Sequence, residues 1–138
     1  MILIVHGRGI SRGRGTGRLL VSPAPISFLS GVDPDKGVIV EKGHPLEGES
    51  ITGTVLAFPH GKGSTVGSYV LYALKRNGKA PAAIINIRAD PIIAVGAIMG
   101  KIPMVDQPEK DIMRLRNGTC ITVDGDTGTI EYDQDGIS

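Results

Sequence analysis

The sequence predicts a compact, β-rich α/β domain, on three observations. Short apolar runs bounded by Gly, Pro or Asp recur along the chain, the pattern of strands in a buried sheet. One segment near the middle keeps a helical period. The 20 glycines and 9 prolines supply tight turns throughout, with no repeat period among them. A β body with one main helix therefore fits better than an alternating βαβ series. At 138 residues the chain suits one domain spanning residues 1–138, with a hydrophobic core of ordinary size.

Residues 2–5, 19–21, 38–40, 84–87 and 92–95 are continuous apolar segments and read as strands, with a short helix over residues 92–99 as the alternative. Residues 52–58 and 120–123 mix β-branched with apolar side chains, and residues 129–132 alternate as a half-buried strand does, so residues 125–128 read as a hairpin turn. The main helix is expected over residues 65–76, where Val66, Val70, Ala73 and Leu74 fall on one face. Ser64 stands at its N-cap position. Lys75 and Arg76 complement the dipole in its last turn, and Asn77 and Gly78 stop it before Pro81. A second, two-turn helix is expected near Pro108, with Glu109 and Asp111 in its first turn, Ile112, Met113 and Leu115 as its apolar face, and Asn117 and Gly118 at its end.

Composition excludes several classes of function. Lys plus Arg number 15 against 14 acids, a net charge of +1 that creates no field to draw in nucleic acid or a membrane surface. Aromatic residues are 4% with no Trp, so stacking on bases is not expected. No apolar run approaches a membrane span, and residues 2–5 are too short for a signal core, which predicts a cytoplasmic protein. The single cysteine, Cys120, rules out an internal disulfide and falls short of the thiolates an iron-sulfur cluster needs.

The densest motif is Pro59-His60-Gly61-Lys62-Gly63-Ser64-Thr65-Val66-Gly67-Ser68, a Gly-rich turn between a strand and the helix. Such a junction aims unpaired N–H groups and the positive helix end at one point, which favours a phosphate, a carboxylate or a serine alkoxide. The alternative is that Ser64 simply caps the helix. Dinucleotide and Walker spacings are both absent. The run His6-Gly7-Arg8-Gly9-Ile10-Ser11-Arg12-Gly13-Arg14-Gly15-Thr16-Gly17-Arg18 makes Arg8, Arg12 and Arg14 candidates for a phosphate or RNA contact, against a solvated glycine-rich turn leading into the Leu19 strand. Asp33 before Pro34 reads as an Asx-turn, His44 before Pro45 as a surface loop residue, and Asp90 between Ala89 and Pro91 as a turn.

Taken in order, Pro25-Ile26-Ser27-Phe28, Gly31-Val32-Asp33-Pro34, His44-Pro45-Leu46 ahead of Gly48, Gly61 to Tyr69, Ala80-Pro81-Ala82-Ala83-Ile84 and Ala89-Asp90-Pro91-Ile92 resemble the small subunit of aconitase X enzymes over residues 7–123. The resemblance implies a swivelling β/β/α domain, a compact barrel-like β body with one main helix and short flanking helices. It also implies a hydro-lyase, inactive as this chain alone, whose large partner subunit holds an iron-sulfur cluster, [4Fe-4S], as Lewis acid, with no metal ligand here. The wording of residues 61–69 and Ile102-Pro103-Met104-Val105-Asp106 is similar to an archaeal branch that dehydrates a phosphorylated hydroxy acid in isoprenoid synthesis. The family's proton acceptor falls on Ser64. Lys62, Gly63, Thr65, Ser27, Asp33 and His44 are the substrate-binding candidates.

Two departures accompany the likeness: Leu29 and Ser30 stand where family members carry an aromatic residue and a second glycine, and residues 12–18 are unusually basic. Three other readings stay open at this point. The chain could serve a family member that dehydrates cis-3-hydroxy-L-proline, it could be an Arg-Gly binding module, or it could be a non-catalytic structural subunit.

Overall fold

The structure, a computed structural model, describes residues 1–134. Its strands are β1 (Ile2–His6), β2 (Arg8–Ser11), β3 (Arg14–Val21), β4 (Val32–Asp33), β5 (Val38–Ile39), β6 (Val55–Phe58), β7 (Ala83–Asn86), β8 (Met104–Asp106), β9 (Cys120–Asp124) and β10 (Thr129–Asp133). The helices are α1 (Phe28–Gly31), α2 (Gly67–Arg76) and α3 (Pro91–Gly100), with a 3-10 turn at Ile112–Arg114. Eight strands form one sheet in the order β1-β10-β9-β3-β6-β7-β8-β2, and β4 and β5 make a separate hairpin. The centre, β3-β6-β7-β8, is parallel, while the flanking pairs are antiparallel.

β1 and β2 are consecutive in the chain, with Gly7 alone between them, yet they occupy opposite edges of the sheet. The sheet is therefore curled until its edges meet at Gly7, whose N–H donates to the Gly128 carbonyl at 2.8 Å. This is the barrel-like body, and its strand alternation sorts two cores. Val55 and Ala57 of β6 point inward with Val5, Leu19, Ile85, Val105, Ile121, Val123 and Ile130. Leu56 and Phe58 point outward, beneath Leu71 and Leu74 of α2 and Ile93 and Ala97 of α3. Strands covered on both faces in this way read as the unbroken apolar runs seen in the sequence.

Four local expectations change. The segment β6-α2-β7-α3-β8 is an alternating series, and residues 92–95 belong to a helix, the alternative read over 92–99, and not to a strand. Helix α3 is apolar almost all round and so shows no period; what makes it a helix is its ends, with Asp90 capping it, Pro91 at its first position and Lys101 closing it in the left-handed conformation at φ 54°. Helix α2 begins at Gly67, two residues later than expected. The helix expected near Pro108 contracts to one 3-10 turn, because Leu115 leaves it at ψ 154°. Most of the Arg-Gly run is β2 and the first half of β3, with only a bend at Arg12 and Gly13 between them. Gly15 is needed there because a Cβ would collide with the Ala82 carbonyl oxygen of the neighbouring crossing chain.

Candidate active site

In a parallel sheet ligands collect outside the carboxyl ends of the strands. At those ends here stand Val21 of β3, Phe58 of β6, Asn86 of β7 and Asp106 of β8. The loop 59–66 leaves from β6. Its root is fixed on two sides. On one, Ile26 and Gly61 form a parallel bridge, and the Lys62 N–H donates to the Ile26 carbonyl at 3.1 Å. On the other, the Gly61 N–H donates to Asp90 Oδ1 at 2.6 Å.

Beyond that root the chain turns back through Gly63 at φ +86°. A side chain at Gly63 would put its Cβ 2.8 Å from the Ser27 hydroxyl, so glycine answers both the φ and the close approach. Ser64 follows, exposed. Its Oγ accepts the Val66 N–H at 3.1 Å, and its carbonyl accepts the Gly67 N–H at 3.0 Å. The helix cap proper is Val66, without any side-chain cap bond, so Ser64 holds a turn ahead of the helix and does not cap it. Among the described residues the backbone N–H groups of Gly63, Ser64 and Thr65 meet no protein acceptor. Three consecutive open donors beside an exposed hydroxyl, at the entrance of a ten-residue helix, form a place for negative charge.

Of the other candidates, Lys62, Gly63, Thr65 and Ser27 are brought together around Ser64 by this loop. The Lys62 ammonium is paired with Glu41 Oε2 at 3.1 Å, which ties the loop to the segment after β5. Ser27 is buried beneath Gly63, its hydroxyl 3.1 Å from that of Ser30. Asp33 acts in its own turn, accepting the N–H groups of Asp35 at 2.9 Å and Lys36 at 3.3 Å. His44 is buried, not a surface residue: Nδ1 accepts the Leu46 N–H at 3.0 Å, so Nε2 carries the proton it donates to the Pro25 carbonyl, also at 3.0 Å. Asp33 thus serves its own turn, and His44 fastens its loop to the Pro25 backbone.

The arginines line the barrel and do not converge on Ser64. Arg14 lies 3.8 Å from both Asp124 and Glu131, Arg18 donates to the Gly118 carbonyl at 3.0 Å, and Arg12 borders a surface hollow with Gly9 and Asp126. Arg8 forks onto Asp106 through Nε at 3.0 Å and a terminal nitrogen at 2.9 Å. Asp106 is fully buried and also accepts the Ala89 N–H at 2.8 Å. Burial by itself would raise the Asp106 pKa. The hydrogen bonds from Arg8 and Ala89, the Arg8 charge and Gln107 together outweigh it, and the carboxyl titrates below its ordinary range. The same pairing raises the Arg8 pKa.

Sequence reasoning took Asp90 for a turn residue, where the structure makes it the cap of α3, and gave Asp106 no role. For Asp90 a signal existed: Asp-Pro ahead of an apolar run is a helix start. For cofactors the chain offers little. Among the described residues no group of three His, Cys, Asp or Glu could hold a metal ion, and Cys120 stands exposed and alone on β9. These residues do not fit an iron-sulfur cluster. No helix among the described residues is long and apolar enough to cross a membrane.

The family model for the aconitase X swivel domain matches residues 4–132. The chain belongs to the aconitase X swivel domain family. The family resemblance read from the motifs is thereby borne out, as is the α/β fold class. The chain is 57% identical over 128 residues to the phosphomevalonate dehydratase small subunit of Methanocella arvoryzae, covering 92% of this chain and 97% of that one. It is 52% identical to the protein of the same name from Thermococcus onnurineus, covering 94% and 98%. Among solved swivel-domain structures, the crystal structure of Thermococcus kodakaraensis aconitase X in its holo-form superposes with a TM-score of 0.90 at 48% identity, covering 96% of this chain and 99% of that one.

Proposed function

We propose that this chain is the small subunit of a phosphomevalonate dehydratase, a hydro-lyase that removes water from (R)-5-phosphomevalonate to give trans-anhydromevalonate 5-phosphate. The identity of more than half over nine-tenths of the chain to proteins of that name supports the reading. Residues 1–138 serve as one swivelling domain, working in the cytoplasm with a large subunit and with neither nucleic acid nor membrane as partner. On this reading the [4Fe-4S] cluster implied by the family belongs to that large subunit, which agrees with there being no group of metal-ligating residues among the described residues of this chain.

Within this chain the observation that carries the proposal is the exposed Ser64 hydroxyl beside three open N–H donors. A neutral serine is a weak base. Donation from the Val66 N–H, the open amides of residues 63–65 and the positive end of α2 all favour the alkoxide over the alcohol, and closure against the large subunit would strengthen each of them by excluding water. The alkoxide takes the proton from the carbon next to the substrate carboxylate. The C–H electron pair becomes the new double bond, and the hydroxyl on the next carbon departs with its bonding pair; the proton taken by Ser64 then converts that hydroxide to water and restores the alkoxide. Lys62, Gly63 and Thr65 are the contacts assigned to substrate, with Ser27 beneath them; Asp33 and His44 shape the surrounding loops.

In the assembled two-subunit enzyme, Ser64→Ala should lower kcat by roughly 10²–10⁴-fold while the subunits still associate. Near-normal turnover in that variant overturns the assignment. The same assembly, offered cis-3-hydroxy-L-proline in place of phosphomevalonate, should give no dehydration, and activity on that substrate would move the chain to the other branch of the family.

A further inference from the structure

Asp90 draws three N–H donors from two different elements onto one carboxylate. Oδ1 accepts the Gly61 N–H at 2.6 Å, while Oδ2 accepts those of Ile92 at 3.1 Å and Ile93 at 3.3 Å. One oxygen thus caps α3 and the other fastens the root of the loop that carries Ser64 three residues later. The fastening is close: a Cβ at Gly61 would lie 2.5 Å from Ile93 Cγ1 and 3.0 Å from Asp90 Oδ1, so only glycine lets the loop backbone lie this near the carboxylate. Asp90 is itself held in place. Its neighbour Ala89 donates to Asp106 at 2.8 Å, and Asp106 is gripped by Arg8.

From this chain of contacts we infer that Asp90 is a positioning residue for Ser64, with Asp106 and Arg8 as its support. The inference rests on the reading of Ser64 as the base. Asparagine provides a selective probe, because its single carbonyl oxygen caps a helix about as well as aspartate does. Its amide group then faces the Gly61 N–H with a donor where an acceptor stood, which breaks the latch and leaves the cap. A charge-assisted bond is replaced by a repulsive contact.

The full-length small subunit is assayed with its large partner. Asp90→Asn should lower kcat roughly tenfold to hundredfold, the scale on which small misplacements of a catalytic group act, with KM nearly unchanged. If Asp90 acts through Ser64, then adding Asp90→Asn to Ser64→Ala should produce no further loss. In the isolated full-length chain the Gly61 amide should lose its hydrogen-exchange protection in Asp90→Asn while the Ile93 amide keeps its own. The inference is overturned by an unchanged kcat once Gly61 has become exchangeable, by retained Gly61 protection, or by an equal fold-loss in the presence and absence of the Ser64 hydroxyl. Full turnover in Ser64→Ala by itself is a different failure: it removes the base, whereas the preceding outcomes leave the base standing and remove its positioning.

Discussion

Replacing Gly63 with alanine tests how tightly the catalytic turn is built. Two costs are expected. A residue with a Cβ at φ +86° sits in the left-handed region, at roughly 1–2 kcal/mol. The new Cβ also lies 2.8 Å from the Ser27 hydroxyl, well inside contact distance, and overpacking of this kind costs about 1–3 kcal/mol. Ser27 cannot simply swing aside, since it is buried and its hydroxyl meets Ser30. Together the two give about 3 kcal/mol, or a fall in Tm of about 10 °C for a chain of this size. The second cost vanishes if Ser27 becomes alanine, because the remaining Ser27 Cβ would stand 3.6 Å away, at ordinary contact. Urea unfolding of the four proteins in this double-mutant cycle should therefore show Gly63→Ala costing about 1 kcal/mol less on a Ser27→Ala background. An equal cost in both backgrounds, or a cost below about 1 kcal/mol in either, refutes the close packing of this turn.

Two further outcomes follow from contacts elsewhere. Because Asp106 binds its proton more weakly folded than unfolded, its contribution to stability is complete above the unfolded pKa, near 4, and is lost as pH falls through the lower folded value. Asp106→Asn should thus be less stable than the parent at pH 7, with the difference narrowing below about pH 4; a constant difference in a series of urea melts would contradict this. In the helical layer, a Cβ at Gly96 would lie 2.6 Å from Leu71 Cδ1 and 3.1 Å from Ser68 Cα, so Gly96→Val should separate α2 from α3 and cost about 1–3 kcal/mol in the same measurement. Wild-type stability in that variant would show that the helices are not packed this closely.

Much of the site was legible because its signals are local. A buried strand, then Gly61-Lys62-Gly63-Ser64, then an amphipathic helix announces a turn with open amides, and the structure places Ser64 in such a turn, though as the holder of a tighter bend and not as the helix cap. Helix α3 was ambiguous for a physical reason. Apolar side chains occupy its exposed face, with Val95 and Ile98, as well as its buried one, which erases the period that marks α2. β2 escaped notice because its four residues, Arg8–Ser11, are chosen less by hydrophobic pattern than by the close passage of backbone, which calls for glycine. The Arg8–Asp106 pair spans 98 positions, and no window of sequence connects its halves. His44 shows the opposite error: a histidine before proline looks exposed, yet both ring nitrogens find backbone partners under the 22–26 segment.

The bent pair of strands β1 and β2 has a bearing on how the chain is made. β1 and β2 are made before the strands they pair with: β8 comes about a hundred residues after them and β10 later still. The ring cannot seal until those late segments arrive, so its formation carries the entropic burden of distant contacts and should be slow compared with that of a local hairpin. In return, one short stretch hides two rows of unpaired amides at once. An intermediate lacking it would offer both β8 and β10 to a neighbouring molecule, and the seam at Gly7 is thus as much a guard against self-association as a structural closure.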